Sequence, residues 1–187
     1  MKILAISGSP RKNGKTAEVI TILKDSLAGR GHETETLFLD DFSVKGCIAC
    51  NGCFADKNKP YCVQHDDAQI LFDRIEKADA VVYASPVYAF SFPAQIKAFL
   101  DRHYCLVTNP GLPSQSSLFA GKKVLMLATC CDPVENNAEL VPVIFERLFR
   151  RLKCEVAGKF IVESSYAPDF SQRARLTANA MATALLG

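Results

Sequence analysis

The loop GSPRKNGKT, residues 8–16, gathers hydroxyl groups and cations of the kind that bind phosphate. Its last three residues have the form that ends a Walker A loop, G-x-x-x-x-G-K-[ST]. The first glycine of that motif would fall at position 9, where this chain has Ser9. Two apolar strand-like runs end in Ser85 and Thr129, and neither ends in the aspartate that would hold magnesium. These departures argue against a nucleotide triphosphatase.

The same loop suits a phosphate monoester. Ser9 and Thr16 offer hydroxyls, and Arg11 can pair with a dianion through two parallel hydrogen bonds. The first N–H groups of the following helix, at residues 14–17, are free to donate at its positive end. The alternative is a strand-to-helix turn that binds nothing, because hydroxyl-rich turns also occur without a ligand.

A second group of reactive residues lies in the stretch GCIACNGCFADKNKPYC. Cys47, Cys50 and Cys53 have the spacing C-x2-C-x2-C, and Cys62 follows after eight intervening residues. The first spacing is that of a ferredoxin-type loop, in which consecutive thiolates hold a [4Fe–4S] cluster. Zinc is a second alternative, although zinc usually takes two separated pairs of cysteines. Free or disulfide-prone thiols are the third.

Apolar runs alternate with helical patterns along the whole chain, and this alternation must position both groups. We predict strands over residues 2–7, 33–39, 79–85, 122–129 and 156–163. We predict helices over residues 15–29, 66–78, 93–104 and 135–152, and from about residue 172. Every crossover is long enough for a βαβ unit, so the pattern predicts a single α/β domain over residues 1–187, with a doubly wound parallel sheet of five strands covered by helices on both faces.

Ligands of such sheets bind at the carboxyl ends of the strands. The loops at that edge are predicted at residues 7–16, 85–93 and 129–137. Residues 42–65, which contain the cysteines, form a long irregular insert, and an insert of this length usually has a function.

The composition excludes some classes of partner. The formal net charge is +2 and 22% of the residues are charged, so no basic surface for nucleic acid is indicated. No apolar stretch of 18 residues and no signal peptide pattern is present, so we expect a cytoplasmic protein without a membrane partner. Eight cysteines in a reducing compartment suggest metal or redox chemistry before disulfides.

The first loop, together with ASPVYAFSFPAQIKAFLDR at residues 84–102, resembles the flavodoxin-like NAD(P)H-dependent FMN reductases, which include the iron–sulfur flavoproteins. The resemblance spans roughly residues 1–130. It implies that the first loop binds the FMN phosphate and that the second loop contacts the isoalloxazine ring. Lys15 departs from the asparagine that is more frequent at its position. Iron–sulfur flavoproteins have a shorter gap before the fourth cysteine, so the resemblance leaves the three cysteine alternatives open.

The residues and the resemblance together define an expected FMN site. A flat aromatic ligand needs apolar side chains along its face, and the second loop supplies them. The end of the fourth strand provides a third loop that would touch the ring. The expected site consists of Ser9, Arg11, Asn13, Gly14, Lys15, Thr16, Pro86, Val87, Tyr88, Phe90, Ser91 and Thr129.

Other conspicuous residues are expected to be structural. We predict that Cys130 and Cys131 are packing residues, because adjacent cysteines rarely pair or bind one metal together. Asp66 is expected to cap a helix N-terminus. Asp101 and Arg102 are expected to serve helix packing or a subunit contact. No catalytic acid–base constellation is found.

We therefore expect an FMN-dependent oxidoreductase that uses NAD(P)H to reduce a quinone, a flavin or another small electrophile. One alternative is an iron–sulfur flavoprotein that passes single electrons between FMN, a [4Fe–4S] cluster and a ferredoxin-like carrier. A pure electron carrier would be more acidic than this chain. Another alternative is a non-catalytic domain stapled by zinc. The resemblance also implies a homodimer or homotetramer, because a second subunit commonly completes such a site.

Overall fold

The secondary structure is described for residues 1–55 and 62–187 of a computed structural model. The strands are β1 (Lys2–Ser7), β2 (Glu33–Phe38), β3 (Ala80–Pro86), β4 (Val107–Thr108), β5 (Ser116–Ser117), β6 (Lys123–Thr129) and β7 (Glu155–Val162). The α-helices are α1 (Lys15–Ala28), α2 (Ala68–Lys77), α3 (Ala94–Arg102), α4 (Val141–Arg151) and α5 (Phe170–Leu186). Short 3-10 helices occupy Leu39–Asp41, Gly52–Phe54 and His103–Leu106. None of the helices in this part of the chain is long and apolar enough to cross a bilayer.

The five long strands form one parallel sheet in the order β2-β1-β3-β6-β7. This is the strand order of the flavodoxin-like doubly wound fold, so the predicted fold class is confirmed. The order reverses direction at β1 and β3, which makes the edge beyond their carboxyl ends the place where a ligand is expected.

The sheet separates two apolar cores. Helices α1 and α5 pack on one face with Ile3, Val82 and Leu125, whereas α2, α3 and α4 pack on the other with Tyr83 and Met126. Successive side chains of a strand point to opposite faces. The continuous apolar runs in β1, β3 and β6 therefore supply both cores, as expected for strands buried on both sides.

Two elements differ from the sequence-based expectation. Helix α4 begins at Val141, six residues after the predicted start at 135, because residues 135–140 form turns that include Asn136 with a φ of 57°. A proline lies in the first turn of this helix. Proline is tolerated there, because the first N–H groups of a helix make no hydrogen bond within the helix. The antiparallel pair β4–β5 was not predicted, since two-residue strands carry no readable periodicity.

His103 lies fully buried among the aromatic side chains of the larger core. Its Nε2 is 2.9 Å from the Tyr83 hydroxyl, and its Nδ1 is 2.9 Å from the carbonyl oxygen of Phe99. Burial lowers the pKa of His103 from 6.5 to about 4, although the hydrogen bond to the Phe99 carbonyl works in the opposite direction. The folded protein therefore holds this imidazole neutral at pH values where the unfolded chain would protonate it.

We expect the free energy of unfolding to fall as the pH drops from about 6.5 towards 4, because only unfolded His103 takes up a proton in that window. Linkage gives a loss of about 2 kcal/mol between pH 7.5 and pH 5. Urea unfolding at the two pH values measures it. The variant His103→Gln should show a much flatter pH dependence, and an unchanged slope in that variant would assign the effect to other groups.

Candidate functional site

The first loop is fixed by Gly8. The Gly8 N–H donates to the carbonyl oxygen of Ala84 at 2.7 Å, which joins the loop to the neighbouring strand β3. A Cβ on Gly8 would lie 2.5 Å from the Cβ of Ile96 in α3, closer than any normal contact. Glycine is therefore needed here, because the loop approaches the helix closely. This contact fixes where the rest of the first loop, residues 9–16, begins.

Ser9 shapes the loop from inside. Its buried hydroxyl accepts the N–H of Arg11 at 3.2 Å and lies 3.4 Å from the Arg11 carbonyl oxygen. Its own N–H donates to the hydroxyl of Ser7 at 3.3 Å. Ser9 thus holds the backbone turn that presents Arg11, and its hydroxyl is engaged by the protein.

The start of α1 presents free backbone donors. Gly14 is the residue before the helix, and no side chain caps the helix start. The first N–H groups of this 14-residue helix are therefore available to an anion at its positive end. Arg11 is exposed beside them. Lys15 instead forms an ion pair with Glu18 at 3.0 Å, and the hydrogen bond from Ser171 is the largest of the influences that lower the pKa of Glu18.

A buried hydrogen bond ties the first loop to the third. The hydroxyl oxygens of Thr16 and Thr129 are 2.7 Å apart, and both side chains are buried. These residues were both predicted at the FMN site. The structure shows that their hydroxyls bind each other and hold the start of α1 against the end of β6.

The second loop is a tight hairpin with an unusual backbone. Tyr88 and Ser91 exchange two backbone hydrogen bonds of 3.0 Å, and the residues between them, Ala89 and Phe90, have φ angles of 47° and 64°. Such a two-residue turn favours glycine or asparagine. Strain of this kind tends to occur at functional sites. The turn leaves the Phe90 side chain 66% exposed at its tip.

These loops border a cavity of about 390 Å³ at the carboxyl edge of the sheet. Ten of the twelve residues predicted at the FMN site line it, and the exceptions are Phe90 and Ser91 in the hairpin. The cavity has a polar end at Arg11 and the start of α1, and an apolar side at Val87 and Tyr88. The other lining residues are Glu18, Cys130, Cys131, Ser165 and Tyr166.

Tyr166 belongs to a fourth loop, between β7 and α5, that the sequence analysis missed. Its side chain is 75% exposed and lines the cavity. Arg173 holds this loop by donating to the carbonyl oxygens of Glu163 at 2.6 Å and Ser164 at 3.1 Å. A signal was available, because this loop follows a strand of the same parallel sheet and must reach the same edge.

A second, smaller cavity of about 110 Å³ is lined by all four cysteines of the insert. Cys47 accepts a hydrogen bond at its Sγ from the N–H of Ala49, with an N···S distance of 3.4 Å. Ala49 and Asn51, which flank Cys50, have φ angles of 53° and 57°. These left-handed residues curl the backbone around Cys50.

Cys105 also lines the cysteine cavity, and the spacing of the insert gave no indication of it. Burial, and after it the neighbouring Cys62 and Cys53, raise the pKa of Cys105 to about 12. Burial also raises the pKa of Cys53. Within residues 1–55 and 62–187, no three His, Cys, Asp or Glu side chains are already placed to hold a metal ion. The thiols line one cavity, and they would have to come closer together to bind a metal ion.

Asp66 and Arg102 form a buried ion pair beside this cavity, with a distance of 2.5 Å between carboxylate and guanidinium. Asp66 also accepts the N–H groups of Ala68 at 3.1 Å, at the start of α2, and of Lys45 at 2.9 Å. Burial alone would raise the pKa of Asp66, but these hydrogen bonds and the charge of Arg102 lower it. The pair thus joins the ends of α2 and α3 to the cysteine insert.

The chain matches one protein family and several individual proteins by sequence. The family model described as NADPH-dependent FMN reductase matches residues 1–169. An iron–sulfur flavoprotein of Methanosarcina thermophila is 38% identical over 106 residues, which are 57% of this chain and 54% of that protein. The chain therefore spans about half the length of such relatives.

Solved structures resemble the fold at low sequence identity. The azoreductase AzrA has a TM-score of 0.73 at 14% identity, with 100% of both chains covered. An NAD(P)H:quinone oxidoreductase from Methanothermobacter marburgensis has a TM-score of 0.70 at 17% identity, covering 97% of this chain and 98% of that one. At these identities the likeness supports the fold.

Substitution of Gly8 by alanine should destabilise the protein, because the added methyl group would meet Ile96 at 2.5 Å. Overpacking of this kind typically costs about 1–3 kcal/mol. Urea unfolding at neutral pH measures the change. Gly46→Ala is the matched control, since a Cβ at Gly46 would have no neighbour within 4 Å. Equal stability of the two variants would contradict the tight contact.

Proposed function

Because the chain belongs to the family of NADPH-dependent FMN reductases, we propose that it is an FMN-dependent oxidoreductase that takes reducing equivalents from NAD(P)H. Its acceptor would be a quinone, a flavin or another small electrophile. The observation that carries the proposal is the larger cavity, where an uncapped helix start and aromatic side chains from separate loops line one space. Bound FMN would supply the redox chemistry, and the protein would supply binding and orientation.

The polar end of the cavity fits a phosphate monoester. The free N–H groups at the start of α1 and the exposed guanidinium of Arg11 would hold the dianion. Ser9 would act indirectly, by fixing the turn that carries Arg11. Thr16 and Thr129 would likewise act by holding two loops together.

The apolar side of the cavity fits a planar ring. Val87 and Tyr88 line it from the second loop, and Tyr166 lines it from the fourth. Large exposed aromatic side chains bury much surface when a ring stacks on them. We propose that the ring lies between these loops. The exposed Phe90 beside it would contact the electron acceptor or a second subunit, consistent with a proposed homodimer or homotetramer.

Cys130, which lines the cavity, is not proposed as a nucleophile. Burial, and after it the nearby carboxylate of Glu163, raise the pKa of Cys130 to about 11. The Cys130 Sγ donates to the carbonyl oxygen of Asp132 at 3.2 Å. Cys130 is therefore a neutral packing residue at pH 7. This agrees with the proposed reaction, because hydride transfer to a flavin requires no thiolate.

A second candidate function is one-electron transfer through a metal cluster in the cysteine cavity. It is favoured by the placement of Cys47, Cys50, Cys53 and Cys62 around one cavity and by the hydrogen bond from Ala49 to Cys47. Thiolates are the ligands of both iron–sulfur clusters and structural zinc. A cluster there would exchange single electrons with a ferredoxin-like carrier, whereas zinc would only fix the insert.

Removal of the Arg11 cation should weaken the binding of FMN but not the binding of riboflavin. A hydrogen-bonded charge contributes about 1.5–3 kcal/mol, so Arg11→Gln should bind FMN roughly 10- to 100-fold less tightly. Riboflavin, which lacks the phosphate, should bind both proteins equally. Titration of the apoprotein measures both affinities, and consumption of NADH or NADPH by the FMN-loaded wild type tests turnover.

The control for this experiment is Lys12→Gln. Lys12 is the adjacent cation, but it pairs with Asp41 at 2.5 Å and does not line the cavity. Its loss should leave the FMN affinity nearly unchanged. Equal effects of the two substitutions, or no FMN binding by the wild type, would refute the proposed phosphate site.

The place of the ring can be tested by fluorescence, because the chain contains no tryptophan. In Tyr166→Trp the single indole would lie against bound FMN, and its emission should be almost fully quenched on titration. Tyr104→Trp reports from the wall of the cysteine cavity and should be quenched only in part. Similar partial quenching in both variants would show that Tyr166 does not contact the ring.

A further inference from the structure

A buried cation with a bare donor lies in the wall of the cysteine cavity. The side chain of Arg102 is 2% exposed. One terminal nitrogen donates to Asp66 at 2.5 Å and to the carbonyl oxygen of Lys45 at 2.9 Å. Its Nε has no hydrogen-bond partner within the described part of the chain. An unmatched buried donor costs free energy, and in native proteins it calls for an explanation.

The guanidinium is held rigidly. Asp66 is itself fixed by the N–H groups of Lys45 and Ala68, and Arg102 also bonds the Lys45 carbonyl. These contacts join the cation to the backbone of the insert and to the start of α2. A donor fixed in this way loses little conformational freedom when it binds a further acceptor.

The acceptors at this cavity include the amide oxygens of Asn51 and Gln64, but most of its polar side chains are thiols. Arg102 lines it together with the four cysteines of the insert and Cys105. A neutral thiol is a weak acceptor, whereas a thiolate sulfur is a strong one for a charged N–H. Four thiolates around a divalent metal carry a net charge of −2, and such a group needs both cationic charge and donors aimed at its sulfurs.

We infer that Arg102 donates a hydrogen bond from Nε to a metal-bound sulfur in the cysteine cavity, and that Asp66 positions it. The metal would be held by the thiolates of the four insert cysteines, whose protons leave on binding. The inference rests on the second candidate function and is independent of the FMN site.

The experiment uses the full chain with zinc alone in one arm and ferrous iron with sulfide in the other, both under anaerobic conditions. Both arms test whether the thiolates bind a metal. Comparison of the two arms distinguishes a zinc site from an iron–sulfur cluster. Zinc affinity is measured by competition with a chelator, and iron and acid-labile sulfide are assayed per chain. FMN affinity is measured on the same samples.

Two variants separate the hydrogen bond from the ion pair. Arg102→Lys keeps a cation opposite Asp66 but has no Nε donor. The double variant Asp66→Asn with Arg102→Gln removes both charges and leaves no unpaired buried ion. Arg151→Gln is the control. Arg151 is an exposed cation whose guanidinium lies 5.7 Å from the ring of Tyr104, and Tyr104 lines the cysteine cavity, whereas Arg151 does not.

Loss of a partner that hydrogen-bonds a metal ligand typically lowers metal affinity roughly 10- to 100-fold. We expect this loss in Arg102→Lys and in the double variant, with FMN affinity and the Arg151→Gln control unchanged. Metal affinity equal to wild type in Arg102→Lys would overturn the inference, because a purely structural Arg102 would alter stability alone. The inference would also be overturned if the wild type took up metal in neither arm.

Discussion

The site depends on backbone pairing that continues one residue beyond the parallel strands. The N–H of Gly8 donates to the carbonyl oxygen of Ala84 near the end of β3. The N–H of Val87 donates to Thr129 at the end of β6, and the N–H of Cys130 donates to Val162 at the end of β7. Each loop therefore leaves the sheet from a fixed point at the same edge. Residues separated by more than a hundred positions meet there, and the buried hydrogen bond between Thr16 and Thr129 closes the arrangement.

This constraint explains why the strands and most of the cavity could be predicted. Continuous apolar runs are characteristic of strands buried on both faces, and each of the five long strands was predicted within one residue at either end. Once the sheet is parallel, its carboxyl edge follows from topology. The predicted residues of the first three loops therefore line one cavity, apart from the hairpin residues Phe90 and Ser91.

The remainder depends on side-chain contacts that a sequence pattern does not contain. The hydroxyl of Ser9 could serve a ligand or its own loop, and only the packed turn assigns it to the loop. Cys105 reaches the cysteine cavity through the fold, 43 residues beyond Cys62 in the chain. The buried imidazole of His103 is likewise decided by its aromatic neighbours, because a histidine near a helix end is usually exposed.

Helix α3 contacts the first loop near its start and borders the cysteine cavity at its end. Near its start, Ile96 abuts Gly8 in the first loop, and at its end Arg102 borders the cysteines. Positions 96 and 102 are six residues apart in this helix, so these contacts lie only about 9 Å apart along its axis. A close-packed interior transmits displacement instead of absorbing it. A shift of this helix along its axis would consequently press on the first loop at Gly8 and move Arg102 at the cysteine cavity, so the first loop and the cysteine cavity are not mechanically independent.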